Sequence, residues 1–340
     1  AKIDQIKNVA QLQKYLIDAT KTGDNPFYGW RVGADMKNSK MNAVYFGGPS
    51  LGLGRDYYQK ENEANTKTLN EYKNYVAQLF TVLGDSKADQ TAQRVVAFEK
   101  RLANDLLTNE QNRDANLRYN PKTVAELPAL VKNVDLKGYL SSVGVKTDKV
   151  IVGELKYYQN MDSWMNERTL PLLKEYMKAR MIAGNASNLD KKLDDLNFNF
   201  YSKYLQGQKE QRSMDKRGLG VVNGTLGEAF GKLYIEKYFP AGAKEQMETY
   251  IDYLKKSFKQ HIDNLDWMSA ATKVKAQEKL SKFSVKIAYP DQWKDYSKLQ
   301  LTAPKDGGTY YGNLMKVSEW QYAKSLDKVG KPVDKIELGM

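Results

Sequence analysis

The chain of 340 residues contains no cysteine. That excludes disulfides, thiolate nucleophiles and zinc–thiolate centres together. It contains a single histidine, His261. A catalytic zinc site of the usual kind takes two or three imidazoles, and a Ser-His-Asp triad would have to be built around His261 alone. Taken by itself, the chain is a poor candidate for most hydrolytic chemistry. It also lacks any apolar run of about 18 residues, the length a membrane span needs, so no transmembrane segment is expected. Its opening, Ala1-Lys2-Ile3-Asp4-Gln5, has no apolar signal region. That leaves a cytoplasmic protein or a targeting segment outside this chain.

What is present fits a folded protein. Apolar residues make up 41%, enough to bury a core, and the length allows two ordinary domains or one large irregular one. The net charge is +12. A nucleic-acid binder gathers such charge into a stripe, whereas here it is mixed with acid, as in Lys191-Lys192-Leu193-Asp194-Asp195. Nucleic acid is therefore not an expected partner; attraction to anionic envelope polymers is equally permitted by the charge.

Helical periodicity dominates the chain. Ile3, Ile6, Val9, Leu12, Leu16 and Ile17 recur at three to four residues, which predicts a short helix over residues 1–22, broken by Gly23-Asp24-Asn25-Pro26. Phe27 to Val32 and Met41 to Phe46 are rich in aromatic and β-branched residues and predict a β-hairpin with a longer loop over Ala34 to Lys40. Tyr72, Val76, Leu79, Phe80 and Leu83 form one apolar stripe ending at Gly84, and Ser86 with Asp89 fits a capping box for the next helix, which carries Ala92, Val95, Val96, Leu102 and Leu106. Asn120-Pro121 followed by Thr123-Val124-Ala125-Glu126 reads as another helix start, and Val150-Ile151-Val152 as a short strand. Further helices are expected at about 162–183, 189–206, 219–238, 242–264, 270–282 and 313–327. The fold class is mainly α, a large multi-helix domain with a small β-hairpin near the N-terminus. Ile336 to Met340 do not resemble a natural end, so a cut or boundary is expected there.

Few segments offer chemistry. Gly220, Gly224, Gly227 and Gly231 share one helix face. Each costs the helix roughly 1 kcal/mol relative to Ala, which predicts close approach of another backbone. A phosphate loop fails on spacing: Leu233 follows Gly231-Lys232 where Ser or Thr is needed, and Leu226 stands where the first Gly would be. His261 has Ser257 four residues before it and Leu265 four after, neither a metal ligand; a surface or capping role is expected. Asp194-Asp195 and Glu61 with Glu63 could do acid–base work but lie in polar surroundings that predict solvated faces. Asn185 and Asn223 begin glycosylation sequons; the glycine face around Asn223 argues for burial. Tyr57-Tyr58 and Tyr157-Tyr158 could line a peptide cavity, with core packing the default.

Four segments in order are similar to one family. Leu51-Gly52-Leu53-Gly54-Arg55-Asp56-Tyr57-Tyr58 resembles a Leu-Gly-Leu-Pro-x-Arg-Asp-Tyr-Tyr segment. Asn223 to Tyr234 resembles an Asn-x-x-x-Gly-x-Ala-x-Gly-x-Leu-Tyr helix. Leu265-Asp266-Trp267-Met268 resembles a Leu-Asp-Trp-Met helix start, and Lys286-Ile287-Ala288-Tyr289-Pro290-Asp291 a Lys-Ile-Gly-Tyr-Pro-Asp turn. The family is that of the neprilysin, endothelin-converting-enzyme and oligopeptidase O zinc metallopeptidases, resembled through its N-terminal helical part only. Gly54 replaces a Pro-x pair, and Ala288 stands where Gly is usual.

The resemblance implies a helical lobe that, with a thermolysin-like zinc domain, encloses a cavity and favours small peptides. It implies zinc for the intact protein, held by two His and one Glu, with the Glu of His-Glu-x-x-His as general base. The segments Asn-Ala-Tyr-Tyr and His-Glu-x-x-His that carry this chemistry are absent from these 340 residues. No catalytic, cofactor-binding or metal-binding residue is therefore assigned here. Residues 1–50 are expected to form a short helix plus hairpin within the same unit, and residues 51–340 the helical lobe. The expected partners are the missing catalytic domain or a second chain, and peptide substrates. The expected location is extracytoplasmic, with a cytoplasmic one as the alternative. A non-catalytic helical binding module, or a basic scaffold, is the rival reading.

Overall fold

The computed structural model describes residues 2–335; Ile336 to Met340, read above as a cut end, lie outside them. Among the described residues there are fourteen α-helices and one four-stranded sheet, so the fold is mainly α with a small β element near the N-terminus. In chain order the elements are α1 (Val9–Thr22), β1 (Trp30–Asp35), β2 (Asn38–Phe46), α2 (Arg55–Gln59), α3 (Glu63–Val82), α4 (Ala88–Ala103), α5 (Ala115–Arg118), β3 (Asn120–Thr123), α6 (Leu127–Leu130), α7 (Leu136–Ser142), β4 (Lys149–Val152), α8 (Leu155–Gln159), α9 (Leu170–Asn185), α10 (Lys191–Asn197), α11 (Met214–Tyr238), α12 (Ala243–Asn264), α13 (Ala270–Ser281) and α14 (Tyr310–Asp327). A π-helical turn, Phe198–Tyr204, continues α10. The described residues divide into two compact units: residues 2–211 with 299–333, and residues 212–298 with 334 and 335.

The first unit holds the core. The sheet order is β1-β2-β4-β3, with β2 and β4 parallel and the other pairs antiparallel. The hairpin is tighter than its sequence predicts. Pairing begins at Asp35↔Asn38, because the Asp35 carboxylate accepts from the Lys37 backbone N–H and closes the turn inside the polar stretch. Val150 to Val152 form the expected strand, buried. Asn120 to Thr123 form an edge strand rather than a helix start; Pro121 is tolerated because β3 lies at the sheet edge. The Thr123/Glu126 capping box forms, but only a 3₁₀ turn and the short α6 follow it.

Helices α3, α4 and α9 pack around a cluster of rings. Trp164 lies 6.0 Å from Phe27, 5.6 Å from Phe98 and 5.4 Å from Tyr157, within the range where such rings attract beyond their buried area. Tyr72, Val76, Leu79 and Phe80 are buried as their spacing predicts, while Leu83, the C-cap of α3, is exposed. Ser86 does not cap α4: Lys87 is the N-cap, and the Asp85 carboxylate accepts from the Lys87 N–H at 2.8 Å and from the Thr91 hydroxyl at 2.8 Å. Helix α14 belongs to this unit; the Tyr322 hydroxyl donates to the Val143 carbonyl, and its ring lies 5.5 Å from Trp30.

The second unit is different in kind. It consists of α11, α12, α13 and the irregular stretch after them, and between residues 212 and 298 only Glu228 is buried. The Glu228 carboxylate accepts from the Lys294 N–H at 2.7 Å and pairs with its ammonium at 3.3 Å, tying the irregular stretch to α11. Helix α11 is kinked at Leu226, whose φ of −124° and ψ of 30° are not helical.

Candidate functional site

The motif Leu51 to Tyr58 follows β2 as a loop leading into α2, and its backbone is held by side chains from distant parts of the first unit. Tyr158 donates its hydroxyl to the Gly47 carbonyl at 2.7 Å, Tyr176 to Ser50, and Tyr201 to Gly52 at 2.9 Å. The Ser50 N–H donates to Pro26 at 2.8 Å. Gly52 is required by close approach: a Cβ there would overlap the ring and hydroxyl of Tyr72. Gly54 has no such neighbour.

Beneath this loop lies a buried polar cluster. Glu99 of α4 is fully buried and accepts from the Tyr58 hydroxyl at 2.5 Å and the Tyr72 hydroxyl at 3.1 Å, with the Arg180 guanidinium at 3.8 Å. Burial pushes the Glu99 carboxyl up, against the pull of Arg180 and the two hydroxyls. Burial, then the adjacent carboxylate, pushes both tyrosines well above their ordinary value. Arg55 pairs with Glu154 at 3.0 Å, and Glu154 accepts from the Leu107 N–H at 2.8 Å. Every charge in this cluster meets an opposite charge or a hydroxyl, so its chemistry is that of a clamp: it fixes the loop and α2 and offers no free nucleophile.

Sequence reasoning did not single out Glu99 or Arg180. Glu99 sits four residues after Val95 and three before Leu102, on the apolar face of α4, which was the available signal.

The residues read as possible chemistry are dispersed. Tyr58, Tyr157 and Tyr158 are buried, with Tyr157 donating to the Phe27 carbonyl at 2.8 Å, so these three are core and clamp residues rather than cavity lining. Glu61 is exposed and paired with Lys100 at 2.8 Å; Asp195 pairs with Lys191 one helical turn away. His261 is exposed on α12. Asn185 is half-buried and donates to Asp24 at 3.2 Å. Asn223 is exposed, not buried, because the glycine face on which it was placed is open: a Cβ at Gly220 or Gly224 would meet nothing within 4 Å, and at Gly231 only Trp293 at 4.0 Å. The expected close backbone partner is not supplied at these positions. A donor set of one imidazole and no thiol does not fit zinc, and among the described residues no three His, Asp or Glu side chains converge on a common point.

In the second unit the Lys286 to Asp291 turn carries strain. Ala288 has a φ of 62°, the only non-glycine residue with positive φ among the described residues. Beside it a cleft of about 270 Å³ is lined by Lys244, Glu248, Tyr289 and Asp291 among others. Lys244 pairs with Asp291 at 2.6 Å and lies 4.6 Å above the Tyr289 ring.

A family model described as Peptidase family M13 matches residues 1–290. The chain belongs to this family. Its M13 relatives include the neutral endopeptidase of Lactococcus lactis subsp. lactis (strain IL1403), 27% identical across 100% of this chain and 54% of that protein, and endothelin-converting enzyme 1 of Bos taurus, 27% identical across 93% of this chain and 43% of that protein. Among solved structures, the Mycobacterium tuberculosis zinc metalloprotease Zmp1 in complex with an inhibitor is 29% identical, with a TM-score of 0.90 over 100% of this chain and 51% of that one. The chain thus spans about half the length of the M13 proteins it matches. The four segments read above as resembling the family fall in both units: Leu51 to Tyr58 in the clamped loop, Asn223 to Tyr234 on α11, Leu265 to Met268 before α13, and Lys286 to Asp291 at the strained turn.

Proposed function

We propose that this chain is the helical, substrate-limiting portion of an M13 zinc metalloendopeptidase acting on small peptides, whose zinc-binding segments lie outside residues 1–340. The observation that carries the reading is a mismatch of extent. The whole chain matches about half of each zinc protease or endopeptidase relative, while its own donor set does not fit the metal. In this reading the chain contributes cavity wall and size exclusion, and its clamped loop and aromatic core keep that wall rigid. Zinc belongs to the intact protein. The same reading places the protein outside the cytoplasm, which cell fractionation tests.

The function is tested with a ladder of peptides of increasing length, offered to the protein as its gene encodes it. The expected outcome is zinc-dependent cleavage that falls off sharply with substrate size. Cleavage of folded proteins as readily as of short peptides would remove the size-limiting role. A natural product without a zinc-binding segment would favour a helical binding module.

A further inference from the structure

The second unit exposes apolar surface that a folded protein normally covers. Among the described residues, 15 of the 22 exposed large apolar side chains lie between residues 212 and 298. The densest row is on α12. Met247, Tyr250, Leu254 and Phe258 recur at helical spacing on one face, and Tyr250 and Phe258 are 62% and 61% exposed. The helix is amphipathic, yet it has no buried residue. Its other face is already solvated, as the Lys259–Asp263 ion pair shows. Monomers rarely leave a continuous apolar patch of this kind uncovered.

Three observations narrow the occupant. The polar side of α12 balances four Lys against four Asp and Glu, unlike the basic helices that lie on anionic membranes. Residues 212–298 carry 16 Lys and Arg against 11 Asp and Glu, so a second copy of this surface meets like charge. The M13 relatives contain roughly as much polypeptide again as this chain matches. From these we infer that the Met247–Tyr250–Leu254–Phe258 face of α12 is an interface covered, in the intact protein, by the zinc-bearing half of the same polypeptide. This deepens the peptidase reading and rests on it. The open glycine face of α11, which accepts a closely packed neighbour at Gly220 and Gly224 without a clash, is a second place for that half to seat.

Hydroxyl-radical footprinting, read by mass spectrometry at Met247, Tyr250 and Phe258, tests the inference on the 340-residue chain and on the natural gene product. An interface core excludes water, so labelling is expected to fall about tenfold in the longer protein. Equal labelling in a zinc-containing longer protein overturns the interface and leaves the peptidase reading standing. A natural product no longer than 340 residues overturns both. Protection that appears in the 340-residue chain only as it dimerises, followed by light scattering, overturns the assigned occupant. The double variant Leu254→Glu/Phe258→Glu is expected to melt like wild type as the 340-residue chain, because both sites are exposed there, and to lose zinc and melt earlier in the longer protein. Unchanged behaviour in both overturns the inference.

Discussion

Gly52 is the residue of the Leu51 to Tyr58 loop that has no room for a side chain. Its Cα lies against the Tyr72 ring with no room for a methyl group, and Tyr72 cannot retreat without leaving Glu99 short of a donor. Gly52→Ala is therefore expected to cost about 2–4 kcal/mol through overpacking and a broken buried hydrogen bond. Gly54→Ala, two residues on, where a Cβ would meet only Tyr57 at an ordinary contact distance of 3.9 Å, is expected to stay within about 0.5 kcal/mol. Urea denaturation of the two variants separates these outcomes; equal effects would mean that the clamp is not what fixes the loop. Asp85 gives a second residue-scale test. Its carboxyl is held below the usual range by the Lys87 N–H and then the Thr91 hydroxyl. A folded-state value below the unfolded one gives a contribution that is full above the unfolded value, about 3.9, and is lost as pH falls through the lowered one. Asp85→Asn is expected to cost about 1 kcal/mol at pH 7, with the gap to wild type closing as pH falls below the ordinary carboxylate range. A gap independent of pH would exclude the carboxylate as its source.

At the scale of elements, the Lys286 to Asp291 turn holds the one non-glycine residue with positive φ among the described residues. Ala288, at the position where the resemblance implies glycine, takes a φ of 62°. A left-handed conformation costs an L-residue about 1–2 kcal/mol, and glycine returns part of that as unfolded-state entropy. Ala288→Gly is expected to stabilise the protein by about 0.5–1 kcal/mol, measured as a rise in unfolding midpoint; a loss of stability would mean the alanine methyl makes a contact that offsets the strain. The long helices were legible in the sequence because a 3.6-residue period survives even where, as on α12, nothing covers the face. Edge strand β3 was not, because Pro121 and the Thr123/Glu126 box carry a genuine helix-start signal that local pairing with β4 overrides. Glu99 was missed because one carboxylate in an apolar stripe looks like a solvated exception until its tyrosine partners, 27 and 41 residues away, are seen to converge on it.

For the whole molecule, the count of imidazoles and thiols decided more than any motif. The sequence holds one histidine and no cysteine, and among the described residues no three His, Asp or Glu side chains converge. The division into a well-packed unit and a sparsely buried one was hidden from the sequence, because the Gly and polar residues at 207–213 resemble any other loop. The division accords with a polypeptide whose first unit folds on its own core while the second leaves its apolar faces for another part of the protein. The most direct test is zinc content together with peptide turnover, measured side by side on the purified 340-residue chain and on the natural gene product. The account predicts no stoichiometric zinc and no cleavage for the former, and one zinc with turnover for the latter. Stoichiometric zinc and catalysis by residues 1–340 alone would contradict it.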